Sequence, residues 1–388
     1  MKCLTIDNYN DFECIGSQCP STCCAGWSVI VDTDSANLYE AIPGKFGDKL
    51  RNNLIHKDNL YYFKMQDNLC PFLTKENLCD IYRNLGKDKM CSTCTYYPRF
   101  QEFFGDIVFR GLSLSCPEVA STLFRRTDSL TYDFGEIPDP SDLQGNSSES
   151  EDWSFFNVCI HTLTCSTMLL QNRTLSLKSR LQLFLLLASQ LQTAIDKNED
   201  TSYIFNLFSD TARLNALAEE LRQNTAHNAN AIVALISHLY NNLSAFNSHH
   251  YLDPYFSVFA SYVEQRNCSL DVNELNALFQ SYDQEKHQIR HEQYCLYFLF
   301  RHFMNCYKEH NIYKYAALII YLYCLQLNLE AFLAGYRQCP LSLNEQALIA
   351  VSIAKHFEHN AQNSLDTLYE LFDDSGMTSI DFIMDLLR

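Results

Sequence analysis

Glycine is scarce in this chain: there are 11 among 388 residues, and none form a G-x-G-x-x-G after a strand. A Rossmann-type cofactor fold needs that turn to bring backbone close to a phosphate or adenosyl group, so such a fold is disfavoured. Positive charge is also short. With 29 Lys and Arg against 46 Asp and Glu, the net charge is −17, which argues against a protein that neutralises nucleic-acid phosphates. The opening "MKCLTIDNYNDFEC" lacks the apolar stretch of a secretory signal. No apolar run reaches bilayer length either. The longest, Ala316 to Leu325, reads as part of a buried helix. A cytoplasmic setting is expected, with peripheral membrane contact and homo-oligomerisation left open.

Cysteine, by contrast, is abundant and unevenly placed: of 17, ten lie in the first 116 residues. In a reducing compartment such clustering points to metal or redox chemistry more than to disulfides. Three thiols fall within "CPSTCC", two of them adjacent, and an adjacent pair closes a strained disulfide ring. The order is C-x4-C-x3-C-C from Cys14, then C-x8-C from Cys70, C-x11-C-x2-C from Cys79, and finally Cys116. Short spacings let two thiolates converge on one site, and distant cysteines close it by folding the intervening chain around it. Zinc and iron–sulfur both accept four cysteines, so ligand chemistry alone leaves that choice open.

The patterning divides the chain. Residues 1–126 mix short strands ("WSVIVD", "NLYYFKM", "GDIVFRGLSLSC") with a helix in "DSANLYEAI" capped by Asp34 or Ser35. Residues 127–152 are rich in acid, Ser, Pro and Gly and read as a linker. From 153 to 388 apolar residues recur at helical spacing without a fixed-period repeat. The expected fold is therefore an α+β cysteine-rich metal-binding N-terminal domain followed by a mainly α-helical C-terminal domain.

The residues between the cysteines are distinctive: "CPSTCCAGWSVIVD", "LCPFLTKENLCDIY", "MCSTCTYYPR" and "LSLSCPEVA". In this order they resemble the flagellin lysine-N-methylase family, and more loosely the wider group of cysteine-rich zinc- or iron-chelating domains. The resemblance spans about Cys14 to Glu118. It implies methyl transfer from S-adenosylmethionine to lysine amines of flagellin, the protein partner, in the cytoplasm. It also implies a [4Fe–4S] cluster, with Cys19, Cys23, Cys24, Cys70, Cys79, Cys91, Cys94 and Cys116 as candidate ligands. A single cubane needs four of these, so the surplus means a second metal or structural and redox thiols. No residue is assigned to S-adenosylmethionine. The helical part is expected to present a flagellin-binding or oligomerisation surface.

A lysine amine must lose a proton before it attacks a methyl group, and its ordinary pKa is about 10.4. Tyr96, Tyr97 and Glu118 are the candidate catalytic groups near the cluster motifs, with Asp32 and Asp80 weaker ones. Glu118 and Arg99 equally read as structural ion-pair partners. The C-x3-C-x2-C spacing of common radical enzymes is absent, because Gly26 stands where its third cysteine would be. Two helical faces, His287/His291/Cys295 and His302/Cys306/His310, could hold a second metal, but helices collect such residues by chance. Two other classes remain: a non-catalytic zinc- or iron-binding protein, and an electron-transfer protein using the same cysteines.

Overall fold

The structure is a computed structural model describing residues 2–104, 107–137, 152–223, 229–242, 251–266, 274, 277–278, 285–359 and 364–387. It is mainly helical, with two small sheets in its N-terminal third. Across its width the first sheet runs Arg99–Phe104 (β5), Ile107–Leu112 (β6), Lys2–Ile6 (β1) and Tyr132–Glu136 (β7). Strand β1 (Lys2–Ile6) lies parallel to β6 (Ile107–Leu112) and antiparallel to β7 (Tyr132–Glu136), while β5 (Arg99–Phe104) and β6 form a hairpin. The second sheet, β2-β4-β3, joins Ile30–Val31, Leu60–Phe63 and Leu54–Lys57. Its β3–β4 turn places Asp58 and Asn59 at φ of 51° and 61°, the left-handed pair a two-residue hairpin loop demands.

Two main cores underlie this layout, beside a small third cluster of Cys3, Val108 and Ile137 on the first sheet. The larger runs from Ile6, Phe109 and Leu112 of the first sheet through the helical body. The smaller, made of Val29, Tyr39, Phe63, Phe72, Ile81 and their neighbours, belongs to the cysteine-rich stretch alone. That stretch is therefore an insert between β1 and β5, and the strands flanking it pack with the helices. Residues 1–126, read from sequence as one unit, are split between these cores. The segment taken as a linker from 127 contributes β7 to the sheet, and its remainder, 138–151, lies outside the described residues.

The helix Ile312–Arg337 is the axis of the body. Its apolar window is long enough to cross a membrane, yet it is entirely buried inside the protein. Helices Leu177–Asp196, Asp253–Glu264, Glu285–His302 and Leu343–Glu358 enclose it, which is why it is apolar on every face. Helix starts are fixed by side chains: Asn311 accepts from the Lys314 amide, and Ser342 with Glu345 forms a reciprocal capping box.

Two local expectations shift. The strand in "WSVIVD" shrinks to Ile30–Val31, because Gly26 adopts φ of +84° and turns the chain ahead of the extended pairing. The following helix starts at Thr33 and is capped by Asp32, not by Asp34 or Ser35, since the Asp32 carboxylate reaches the Ser35 amide at 2.9 Å.

Candidate functional site

Backbone pairing within the insert brings its distant cysteines together. The Cys70 amide donates to the Cys24 carbonyl at 2.8 Å, and the Gly26 amide to the Asn68 carbonyl at 2.7 Å. Leu73 and Cys79 form a further bridge. Asp32, having capped its helix, also accepts from the Ser92 amide at 2.8 Å, and Thr93 Oγ1 donates to the Ile30 carbonyl at 2.7 Å. These bonds pin the Cys91-x2-Cys94 turn against β2.

The result is a cavity of about 50 Å³ lined by six thiols: Cys23, Cys24, Cys70, Cys79, Cys91 and Cys94. Trp27, Tyr39, Phe63, Ile81 and Tyr97 complete its walls. Burial pushes the Cys70 thiol up to about 12 and raises Cys79 as well. Cys24 goes the other way, to about 7, because the Cys23 thiol donates to it, and Cys94 lowers Cys91 by the same means. The cavity thus holds two donor–acceptor thiol pairs in apolar surroundings. Full ionisation of the set needs a bound cation to offset the desolvation. Among the described residues no three His, Cys, Asp or Glu side chains stand close enough together to hold a single ion. The thiols surround a space instead of meeting at a point.

Cys19 and Cys116, also expected as ligands, do not line this cavity. They share with Cys23 the field of Lys355, a buried residue of the helical body whose Nζ lies 2.8 Å from Ser21 Oγ. Burial lowers the Lys355 pKa. Beside it, Tyr251 packs so closely on Gly26 that a Cβ there would lie 1.8 Å from the phenol oxygen. A side chain at position 26 would therefore strain the backbone and displace the Tyr251 phenol.

The remaining candidates separate clearly. Tyr97 lines the cavity, whereas Tyr96 does not. Glu118 lies on a helix surface, 3.3 Å from Arg125, and Asp80 pairs with Lys49 at 2.7 Å. Arg99 lies over the rings of Tyr9 and Phe12. The two histidine faces do not gather. His291 bonds Glu330 at 3.2 Å, His287 bonds Gln346 at 2.9 Å, His302 bonds Glu358 at 3.1 Å, and His310 stacks on Phe155.

Several residues at this site are not among the sequence candidates. Trp27 donates from its indole to the Cys23 carbonyl at 2.7 Å and meets the ring of His359, at the end of a helix far along the chain. Ser113 and Ser115, inside the "LSLSC" motif, join Tyr97 to Glu358. Only the alternation of serines beside Cys116 hints at the pair.

Residues 164–386 match the model of the FliB lysine N-methylase C-terminal domain. The chain is 30% identical over 140 residues to the flagellar biosynthetic protein FliU of Salmonella muenchen, covering 34% of this chain and 83% of that protein. It is also 30% identical to the lysine-N-methylases of Salmonella choleraesuis and Salmonella typhimurium, over 140 and 126 residues. Those matches cover 34% and 31% of this chain and span about a third of each relative, 35% and 31%. No solved structure matches.

Proposed function

The chain belongs to the FliB lysine N-methylase family, which places it among the protein-lysine methyltransferases, and on that premise we propose that it methylates lysine side chains of flagellin. S-adenosylmethionine is the proposed methyl donor, and the cysteine cavity is the proposed seat of an iron–sulfur cluster. The same proposal sets the reaction in the cytoplasm, ahead of export of the filament subunit. The name of the FliU relative, a flagellar biosynthetic protein, supports flagellin as the substrate.

The observation that carries the reading is the six-thiol cavity. Its donors fit an iron–sulfur cluster: all are sulfur, they surround a volume, and their walls are apolar. A lone zinc ion, with bonds of about 2.3 Å to sulfur, would want four thiolates drawn to one point. When bound, a cluster supplies charge that stabilises thiolates and a redox centre close to the substrate. Cys79 and Cys91 each stand immediately before a helix, where backbone N–H groups point at sulfur and tune such a centre.

The chain's own residues account for the remaining requirements. Apolar walls exclude water, and desolvation eases the loss of a proton from a lysine that arrives as the ammonium. Tyr97 lines the cavity with a phenol that burial holds protonated.

Anaerobic purification with iron, sulfide and zinc analysis tests the cluster, and stoichiometric zinc without iron would overturn it. Incubation with S-adenosylmethionine and flagellin, followed by mass analysis for methyl-lysine, tests the activity. Cluster-loaded protein that leaves flagellin unmodified would overturn the substrate assignment.

A further inference from the structure

One buried hydrogen-bond chain connects the helical body to the cavity wall. It starts at Glu358, whose side chain is 3% exposed. The Glu358 carboxylate accepts from Tyr297 at 2.7 Å, from Ser113 at 3.0 Å, and bonds His302 at 3.1 Å. Ser113 Oγ lies 2.7 Å from Ser115 Oγ, and Ser115 Oγ lies 3.0 Å from the Tyr97 hydroxyl. Tyr97 lines the cysteine cavity, at the far end of the chain.

Counting protons gives this chain a direction. An ionised carboxylate only accepts, and each hydroxyl has one proton to donate. Ser113 spends its proton on Glu358, so it must accept from Ser115. Ser115 is then spent on Ser113 and must accept from Tyr97. The phenol proton is thereby committed to Ser115. The Tyr97 oxygen is left with a lone pair and no further proton to donate. Ligand thiolates in the same wall carry no proton and cannot fill that acceptor, but an incoming N–H can.

We propose that Glu358, acting through Ser113 and Ser115, polarises Tyr97 into a one-way acceptor that binds and orients the ammonium of the target lysine at the cavity wall. Glu358 and the two serines are positioning residues, and Tyr97 is the group that touches the substrate. The identity of the cation rests on the lysine-methylase reading; the polarity of the chain does not.

Glu358→Gln supplies the decisive variant, because a carboxamide can donate. Its NH2 can give a proton to Ser113, reversing each bond and pointing the Tyr97 proton into the cavity against the ammonium. Ser115→Ala breaks the chain with a smaller perturbation and guards against a folding failure in the first variant. The readout is the 19F resonance of 3-fluorotyrosine placed at position 97, titrated with Nα-acetyl-lysine amide and with its uncharged norleucine analogue. The expected result is a saturable shift with the lysine probe alone, weakened at least tenfold in both variants at unchanged iron and sulfide content. Equal lysine affinity in parent and variants, or an equal response to the norleucine probe, would overturn the proposal. A 19F response that survives in a protein unable to methylate any lysine supports the polarised chain and overturns the methylase reading alone.

Discussion

The imidazole of His359 rests against the indole of Trp27, with ring centroids 5.0 Å apart, and so joins the end of a body helix to the cysteine arm. Burial holds the His359 pKa down to about 4, with Lys355 and Arg301 pushing the same way and Glu358 opposing. The unfolded chain takes up that proton near 6.5. Between about 6.5 and 4 the unfolded state therefore binds more protons, and stability falls as pH drops through that window. Glu358 adds a second, lower window. Burial would raise it, but His302, Arg301 and Tyr297 outweigh burial and hold it at about 2. Its contribution is present above 4.5 and is lost as pH falls toward 2. Denaturant midpoints measured from pH 7.5 to 4.5 should decline, and His359→Asn should flatten that slope. An identical slope in the variant would remove His359 as its source.

Gly26 is constrained twice, by its positive φ and by the Tyr251 phenol. Gly26→Ala should cost about 2 kcal/mol or more. Adding Tyr251→Ala should return only the packing share of that loss. Thermal melts of the single and double variants check this, and a wild-type melting temperature for Gly26→Ala would refute it.

Asp32 is a structural tie: one carboxylate oxygen caps its helix at Ser35, and the other holds the Ser92 amide beside Cys91. Asp32→Ala should destabilise by about 1–2 kcal/mol. Asp32→Asn, which keeps one acceptor, should lose less. Chemical denaturation ranks the two, and the reverse order would contradict a double tie at this carboxylate.

The insert's own core is small, ten buried residues, two of them cysteines. A core of that size holds a fold only marginally without a cross-link. Removing a bound metal centre by chelation should therefore raise hydrogen exchange across residues 16–96 and leave Ile312–Arg337 protected. Exchange across residues 16–96 that chelation leaves unchanged would show that the insert does not depend on its ligand.

The cysteine constellation and the helical body are legible in the sequence because each rests on local signals, spacing in one case and periodicity in the other. Spacing alone groups Cys23, Cys24, Cys70, Cys79, Cys91 and Cys94. It does not separate them from Cys19 and Cys116, since that division depends on which side of the insert Lys355 docks. Capping preference points to Asp34 or Ser35, two or three positions past the true cap at Asp32, a shift too small for such preferences to resolve. The link from Ser113 and Ser115 to Glu358 is invisible in the sequence for a stronger reason. Their contact spans most of the chain and exists only once the helix Leu343–Glu358 packs against the helix Pro117–Arg125.

The parallel pairing of β1 with β6 has a consequence for engineering. Strand β1 ends, and β5 begins, at the same end of the sheet, two strand spacings apart, or about 10 Å. The polypeptide enters and leaves the sulfur-rich insert through a single doorway. A bridge of a few residues could close that doorway, which makes the insert a detachable cassette. The body could then be studied without the six thiols of the cavity.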